Sequence, residues 1–180
     1  MSPNRHDARI EAVNNGRMTH QAFVQDFYPD DFAHCYGCGR LNPAGHHIRT
    51  AHDGEEAVAR FTPRPEHIAL PGFVYGGLIA SLVDCHAIAT AAAAVERADG
   101  KAVGDRPAPR FVTAALHVDY IKPTPLGPEL ELRARPTSIA AKKVVVEVRV
   151  HAGGVLTARG EVVAVRMPDT MRLSGTEVLK

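Results

Sequence analysis

No tryptophan occurs in the 180 residues, and all aromatics together reach only 6%. Base-stacking surfaces are built from such rings, so the composition argues against single-stranded nucleic acid as a partner. An excess of charge of either sign is missing too: 21 basic against 20 acidic residues leave a net charge of +1. A near-neutral chain has no long-range attraction for duplex nucleic acid or for an anionic membrane. The polar N-terminus, MSPNRHDARIEAV, holds no apolar run of the kind a secretory signal requires. Residues 78–95 are the most apolar stretch, but Asp84 and His86 lie near its centre. A mid-bilayer aspartate is costly, so the stretch reads as a buried helix and not a membrane span. Three cysteines, an odd number, do not suggest a disulfide framework. The cytoplasm is the compartment these absences leave. What is present is a 45% hydrophobic fraction, enough for one domain with a real core.

Residues 1–33 read as a polar leader, partly helical or disordered; weak periodicity over residues 10–27 allows one or two short helices. Cys35-Tyr36-Gly37-Cys38-Gly39 and Asn42-Pro43-Ala44-Gly45 follow, and glycine, proline and asparagine at that density mark tight turns. Residues 46–50 and 56–62 read as two strands around Asp53-Gly54. A loop carrying Pro63, Pro65, Pro71 and Gly72 leads to Gly76-Gly77, which opens the longest helical segment, residues 78–98. Alanine, the best helix former, fills it. Its sides are apolar almost all round, so it should be buried.

Residues 101–109 form a polar loop, and everything after is strand-like. The first run covers residues 111–121. In residues 129–135, Leu130, Leu132 and Ala134 alternate with charges, the period of a half-buried strand. Val144, Val146, Val148 and Val150 alternate likewise with Val145, Glu147 and Arg149. Gly153-Gly154 makes a hairpin turn, and residues 155–167 return. Residues 169–180 read as a frayed tail. The order is strands, one long helix, then an antiparallel run of strands. It predicts an α+β domain over residues 34–168, with a curved sheet wrapped around a lone central helix.

The sharpest chemical feature is Pro71-Gly72-Phe73-Val74-Tyr75-Gly76-Gly77, then six residues, then Asp84. A Gly-Gly pair at a helix start leaves backbone N–H groups open to an anion or a developing oxyanion. A carboxylate in the middle of an apolar helix must be paired, hydrogen-bonded or functional. Its plainer reading is a buried aspartate satisfied by a neighbouring hydroxyl such as Ser81. Gly76 and Asp84 are eight residues apart, about 12 Å along one helix axis. One carbonyl cannot touch both, so if both act on it they come from different chains and the site lies at a subunit interface.

Tyr75-Gly76-Gly77, six residues and Asp84 resemble the His-Gly-Gly-(six residues)-Asp/Glu signature of hotdog-fold thioesterases, with the phenylacetate-type (PaaI-like) and Them-like branch the nearest in pattern. Thr113-Ala114-Ala115-Leu116-His117-Val118-Asp119-Tyr120, followed by Ile121-Lys122-Pro123-Thr124-Pro125-Leu126-Gly127, resembles that family's next block. The Cys35–Gly39 turn with Asn42-Pro43 resembles a leader found in the branch. The resemblance implies the hotdog fold and acyl-CoA thioester hydrolysis in a homodimer, or a tetramer made of two such dimers. It implies Asp84 as the carboxylate that activates water or attacks the thioester directly. Gly76, with Gly77 beside it, is implied as the oxyanion donor, and Thr113 as the hydroxyl that positions water or carboxylate. No metal and no cofactor are implied, and CoA enters only as part of the substrate.

The sequence departs from the pattern in two places. The family histidine is Tyr75, which can pack and donate one hydrogen bond but is not a near-neutral acid or base. Upstream, relatives carry a polar group facing the thioester where Ala69 stands here. His67 is the candidate substitute, against its plainer reading as an exposed loop residue. Phe73, Val74 and Leu78 are candidates to line an acyl pocket. Lys142 and Lys143 fall where the family places basic residues near the CoA phosphates, or are simply a solvated strand end; Arg110 and Lys122 are weaker versions of the same idea. Cys35 and Cys38, with His34, His46 and His47 nearby, invite a zinc reading. With one Cys pair, and Cys85 inside the helix, a structural turn is the expectation. His117 can face either the site or solvent. Two other functions compete: a non-catalytic acyl-CoA binding protein on the same fold, and a hydratase or dehydratase, whose Asp/His pair on a different segment is not found.

Overall fold

Small side chains decide how the longest element packs. The computed structural model describes residues 11–14, 17–20, 22–53, 55–105 and 107–171. Helix α1 (Gly76–Ala98) is one unbroken run in which Ala87, Ala89, Ala91, Ala92 and Ala93 are fully buried. The strands are β1 (Glu11–Asn14), β2 (Arg17–His20), β3 (Thr50–Asp53), β4 (Glu56–Phe61), β5 (Phe111–Tyr120), β6 (Leu130–Ala140), β7 (Lys143–Ala152) and β8 (Val155–Arg166). β1 and β2 pair only with each other; the rest form one antiparallel sheet in the order β3-β4-β6-β7-β8-β5. One helix on one six-stranded sheet is the predicted hotdog arrangement.

The sheet's inner face follows from alternation. Val144, Val146, Val148 and Val150 of β7 are at most 1% exposed, as are Leu130, Leu132 and Ala134 of β6 and Ala158, Val162 and Ala164 of β8. Each such valine or leucine adds about 1.5–3 kcal/mol by leaving water. The intervening Glu131, Arg133, Glu147 and Arg149 lie on the outer face and pair with neighbours such as Arg135 and Glu56. Gly153 and Gly154 both take positive φ, 55° and 79°, as a two-residue hairpin of this hand requires. Pro136 sits in β6 just past the last residue that pairs with β4, so its missing N–H costs no ladder bond on that side. α1 is long and apolar enough to cross a membrane by composition, and most of that stretch is buried inside the fold.

Three expectations change. Residues 10–27 hold no α-helix among the described residues; they form the β1–β2 hairpin and a 3-10 turn, Val24–Phe27. The strand placed at residues 46–50 starts only at Thr50, because His47 takes a positive φ of 54° that breaks any ladder. The body of the domain also begins before residue 34. Val24, Gln25 and Tyr28 are buried. The Gln25 side chain binds Thr50 through both its oxygen (2.8 Å) and its nitrogen (3.2 Å), and the Thr50 hydroxyl meets His86 Nδ1 at 2.9 Å. Burial pushes the His86 imidazole down to about 3, so this helix histidine is a neutral core residue. Residues 1–10 and 172–180, the ends of the leader and tail, lie outside the described residues.

Gly160 of β8 marks the closest approach of helix and sheet: a Cβ there would meet Val83 Cγ1 at 2.3 Å. Val83 is fully buried, and a β-branched side chain on a helix has little rotamer freedom to yield. Gly160→Ala is expected to cost about 1–3 kcal/mol, read as a lower midpoint in urea. Val83→Ala in the same chain should recover part of that loss. Additive losses in the double mutant would show that the two side chains do not compete for the same space.

Candidate functional site

α1 begins without a side-chain cap. Its N-cap is Tyr75, in extended conformation (φ −62°, ψ 128°), and the Tyr75 side chain makes no capping hydrogen bond. The Tyr75 carbonyl takes the N–H groups of Leu78 and Ile79. Gly76 and Gly77 donate no intrahelical bond, as at any helix start, and with the macrodipole they form an anion-attracting end. The chain is led into this turn by its backbone. Val74 N–H donates to Thr124 O, and Tyr75 N–H donates to His67 O. Gly76 packs against the Tyr120 ring, and the Tyr120 hydroxyl donates to Gly76 O at 2.8 Å. The Tyr75 ring lies across Gly77, where a Cβ would come within 2.4 Å of it.

Two turns further along the helix, Asp84 is half-buried, and Thr113 of β5 donates a short hydrogen bond from its hydroxyl to Asp84 Oδ1. Ser81, the other hydroxyl considered for this carboxylate, is not its partner. Burial holds the Asp84 carboxyl above the ordinary range for aspartate. The Thr113 hydroxyl works against that shift, and the Cys35 thiolate adds to it. A carboxylate that is destabilised yet aligned by one donor is suited to accepting a proton.

β5 carries an irregularity at this point. Thr113 pairs with Ala164 and Ala115 with Val163, so Ala114 is an extra, unpaired residue. Such a bulge reverses the facing of everything beyond it. Thr113 faces the helix, but Leu116, Val118 and Tyr120 then face it in turn, through their partners Val162, Gly160 and Ala158. His117 consequently points to the outer face, where its Nε2 meets Asp119 Oδ1 at 3.0 Å, away from Asp84. Unbroken alternation from Thr113 would instead have turned His117 inward. Tyr120 was missed for the same reason: nothing in the sequence marks the extra residue.

The other candidates divide. Val74 and Leu78 are buried beside the helix start, and Phe73 is exposed on the preceding turn along with Ile68, Leu70 and Tyr75. His67 is not an exposed loop residue. It is 9% exposed, packed edge-on against His46 (5.3 Å) and tilted against Phe61 (5.6 Å), and its Nδ1 accepts from Arg64 N–H at 3.0 Å. Ala69 forms part of the turn, its N–H donating to Phe73 O. Lys142 and Lys143 are exposed at the β6–β7 turn. Lys143 is in register with Val165 and, through it, with Val112. It is thus two strands from the residue before Thr113, but on the outer face of the sheet, since Val144 beside it faces inward. Cys85 is not isolated in the helix as expected: its Sγ is 3.7 Å from that of Cys35.

Residues 71–165 match the family model described as the Thioesterase superfamily. A thioesterase superfamily protein from Shewanella loihica is 47% identical; its crystal structure aligns with 77% of this chain and 98% of that one at a TM-score of 0.60. The Escherichia coli PaaI protein from the phenylacetic acid degradation operon is 16% identical, over 68% and 81% of the two chains, at 0.54. A Streptococcus mutans protein, solved bound to acetyl-CoA, is 17% identical over 67% and 88%, at 0.52. Among curated proteins, none matches.

The Asp84–Thr113 pair can be tested without any substrate. In a carbon-detected NMR titration, the Asp84 carboxyl should titrate above the ordinary aspartate range. In Thr113→Val its midpoint should move higher still, because a donor that favours the ionised form is gone while burial remains. A midpoint unchanged by Thr113→Val would remove Thr113 as its partner.

Proposed function

The chain belongs to the thioesterase superfamily, and on that premise we propose that it hydrolyses an acyl-CoA thioester to the free acid and CoA. The observation that carries the reading is Asp84: a half-buried carboxylate with a raised pKa, aligned by Thr113, on the same helix as an uncapped Gly-Gly start. Asp84 takes a proton from water as the water oxygen attacks the thioester carbon, or attacks that carbon itself to give, once CoA has left, an acyl–aspartyl anhydride that water then cleaves. The carbonyl oxygen gains negative charge and is held by the Gly76 N–H, with Gly77 beside it. The C–S bond then breaks and CoA leaves as a thiolate. Because thiolate is a good leaving group, one base and one oxyanion site suffice.

The two halves of this site belong to different subunits. α1 is continuous, so Gly76 and Asp84 of one chain are held about 12 Å apart along the axis. A second copy has a natural place to add. β5 is the open edge of the sheet, ten residues long, and Leu116, Tyr120 and Ile121 are exposed on or beside it. An edge of that length is a template for strand pairing unless it is covered. A two-fold dimer through β5 covers both edges with one self-complementary contact. It brings the partner's helix start toward the Asp84–Thr113 pair. Two such dimers pairing again would give a tetramer. The apolar turn bearing Phe73, Leu70 and Tyr75 then borders the acyl group, with His67 packed behind it as support. Lys142 and Lys143 serve the CoA phosphates only across such an interface. The Streptococcus mutans neighbour's bound acetyl-CoA supports CoA as the carrier.

A panel of short, long and aromatic acyl-CoA thioesters, assayed by thiol release, tests the chemistry. Asp84→Asn is expected to lower kcat about 10²- to 10⁴-fold with substrate affinity retained. Equal turnover in wild type and mutant would dismiss Asp84, and CoA binding without turnover of any thioester would favour a binding protein, with Tyr75 as the cause. Gly76→Pro tests the oxyanion site. Proline is tolerated at the first helical position, and Tyr75 already has the conformation that precedes one, so the backbone accepts the change; its Cβ comes to 3.3 Å from the Tyr120 ring, and Gly76→Ala, which keeps the N–H, is the control for that contact. A fall of about 10²- to 10³-fold is expected. Subunit origin has its own test: co-folding Asp84→Asn with Gly76→Pro chains should restore activity that neither has alone, since mixed dimers contain one intact site. Failure to restore it, with mixed dimers verified, would place both groups in one chain.

A further inference from the structure

All three cysteines of the chain meet at one point. Cys35 and Cys38 come from the leader turn and Cys85 from the middle of α1. Their sulfur atoms all lie within 4.8 Å of one another, with Cys35 Sγ and Cys85 Sγ 3.7 Å apart. Zn–S bonds of about 2.3 Å set in a tetrahedron place sulfurs about 3.8 Å apart, and a three-coordinate site spaces them only slightly wider. No disulfide joins any pair: all three thiols are free. We propose that Cys35, Cys38 and Cys85 form a three-thiolate site for a thiophilic cation, zinc(II) or copper(I), that clamps the leader turn onto the central helix.

The turn is built to bring these sulfurs together. Gly39 N–H donates to Cys35 O at 2.7 Å, and a Cβ on Gly39 would lie 2.4 Å from Cys35 N and 2.5 Å from Ala33 O. Gly37 is where the turn touches the helix: a Cβ there would meet Cys85 Sγ at 2.3 Å. The Gly39 contacts are with backbone that cannot yield, and at Gly37 a Cβ would push the Cys85 sulfur out of its place, so both glycines serve the approach. Further backbone bonds hold the loop, from His46 N–H to Tyr36 O (2.8 Å), Ile48 N–H to Gly37 O (3.1 Å) and Leu41 N–H to Ala33 O (2.9 Å).

The electrostatics suit a cation as well. The Cys35 sulfur faces the sulfurs of Cys38 and Cys85 and the backbone N–H groups of Cys38 and Gly37, a setting that favours negative charge on sulfur. Binding releases the remaining thiol protons to solvent and forms three metal–sulfur bonds, with no change of oxidation state. The complex is anionic, and a counter-charge stands beside it. Arg110 stacks over the Tyr28 ring at 4.0 Å and is close enough to Cys38 to favour its thiolate. Its Nε and Nη1 are buried with no hydrogen-bond partner among the described residues. Thiolate-only ligation selects soft, thiophilic cations over magnesium or calcium. Among the described residues no fourth protein ligand joins the cluster, so a tetrahedral zinc takes water, and copper(I) needs only the three sulfurs.

The test uses the full chain, reduced and stripped by a chelator under anaerobic conditions. Cobalt(II), titrated as a spectroscopic stand-in for zinc, should give a saturable sulfur-to-cobalt charge-transfer band at one equivalent, which zinc then abolishes. Copper(I), supplied from a chromophoric chelator, is the competing arm, and the tighter of the two identifies the cation. Cys35→Ser and Cys85→Ala should each weaken binding by more than about tenfold. A readout that needs no variant is thiol labelling: Cys35, the most accessible of the three, should react in the stripped protein and be protected by one equivalent of metal. No saturable band with either metal would overturn the site. So would binding of unchanged affinity in a folded Cys35→Ser, or two thiols lost as a disulfide with metal uptake absent.

Discussion

The fold depends on keeping a 23-residue helix with almost no polar side out of water. Such a helix cannot lie on a flat sheet, because one face would remain wet. It needs a surface that curls around it, and the apolar inner rows of β6, β7 and β8 provide that wall. Small residues then set how deep it sits. The alanine-rich C-terminal half lets strands approach closely, and Gly160 lets Val83 press against β8. The remaining side is closed by the leader, whose Val24, Gln25 and Tyr28 pack where no strand reaches. Since the helix is enclosed, any polar group on it must be answered locally. His86 is answered by Thr50, the neighbouring Cys85 by Cys35, and Asp84 by Thr113.

Those answers point in different directions. Successive helix residues are turned about 100° from one another. Asp84 therefore looks to β5 and the open edge of the sheet, Cys85 to the leader turn, and His86 to β3. The edge is where solvent and a second copy can reach, so the carboxylate that faces it is the one available for chemistry. His86 is enclosed on the opposite side and kept neutral by burial, which removes it from proton transfer despite lying two residues away. Placement around the helix, more than residue type, separates the candidate base from the buried structural histidine.

Much of this was legible from residues alone. The alternation of Val144 to Val150, the paired glycines at 153–154 and the alanine-filled helix each encode one geometry, and each formed as read. The Gly-Gly start and the helix carboxylate were legible because an acid near the centre of an apolar helix is conspicuous. What was not legible depends on contacts between distant segments. The extra residue at Ala114 leaves no mark in the sequence, yet it decides that Tyr120 and not His117 faces the helix. His67 looked like a loop histidine because its packing partners, Phe61 and His46, come from a strand and from the leader loop. Cys85 looked isolated because its neighbours are fifty residues away in the chain.

The leader contributes to the candidate site in a way that its polar composition hides. Its Cys35 lies close enough to Asp84 for a thiolate there to raise the carboxyl's pKa, so the turn acts on the reactive group without touching substrate. The same turn is pinned through Gly37 against Cys85, the residue after Asp84. A shift of the turn would therefore be felt by the helix backbone that aims the carboxylate at Thr113. Catalytic geometry tolerates displacements well under an ångström, and a carboxylate set on a buried helix between two packed walls meets that demand better than one on a loop. Enclosing the helix on the leader side and leaving it open on the β5 side are thus complementary: one wall holds Asp84 still, and the other lets the reaction reach it.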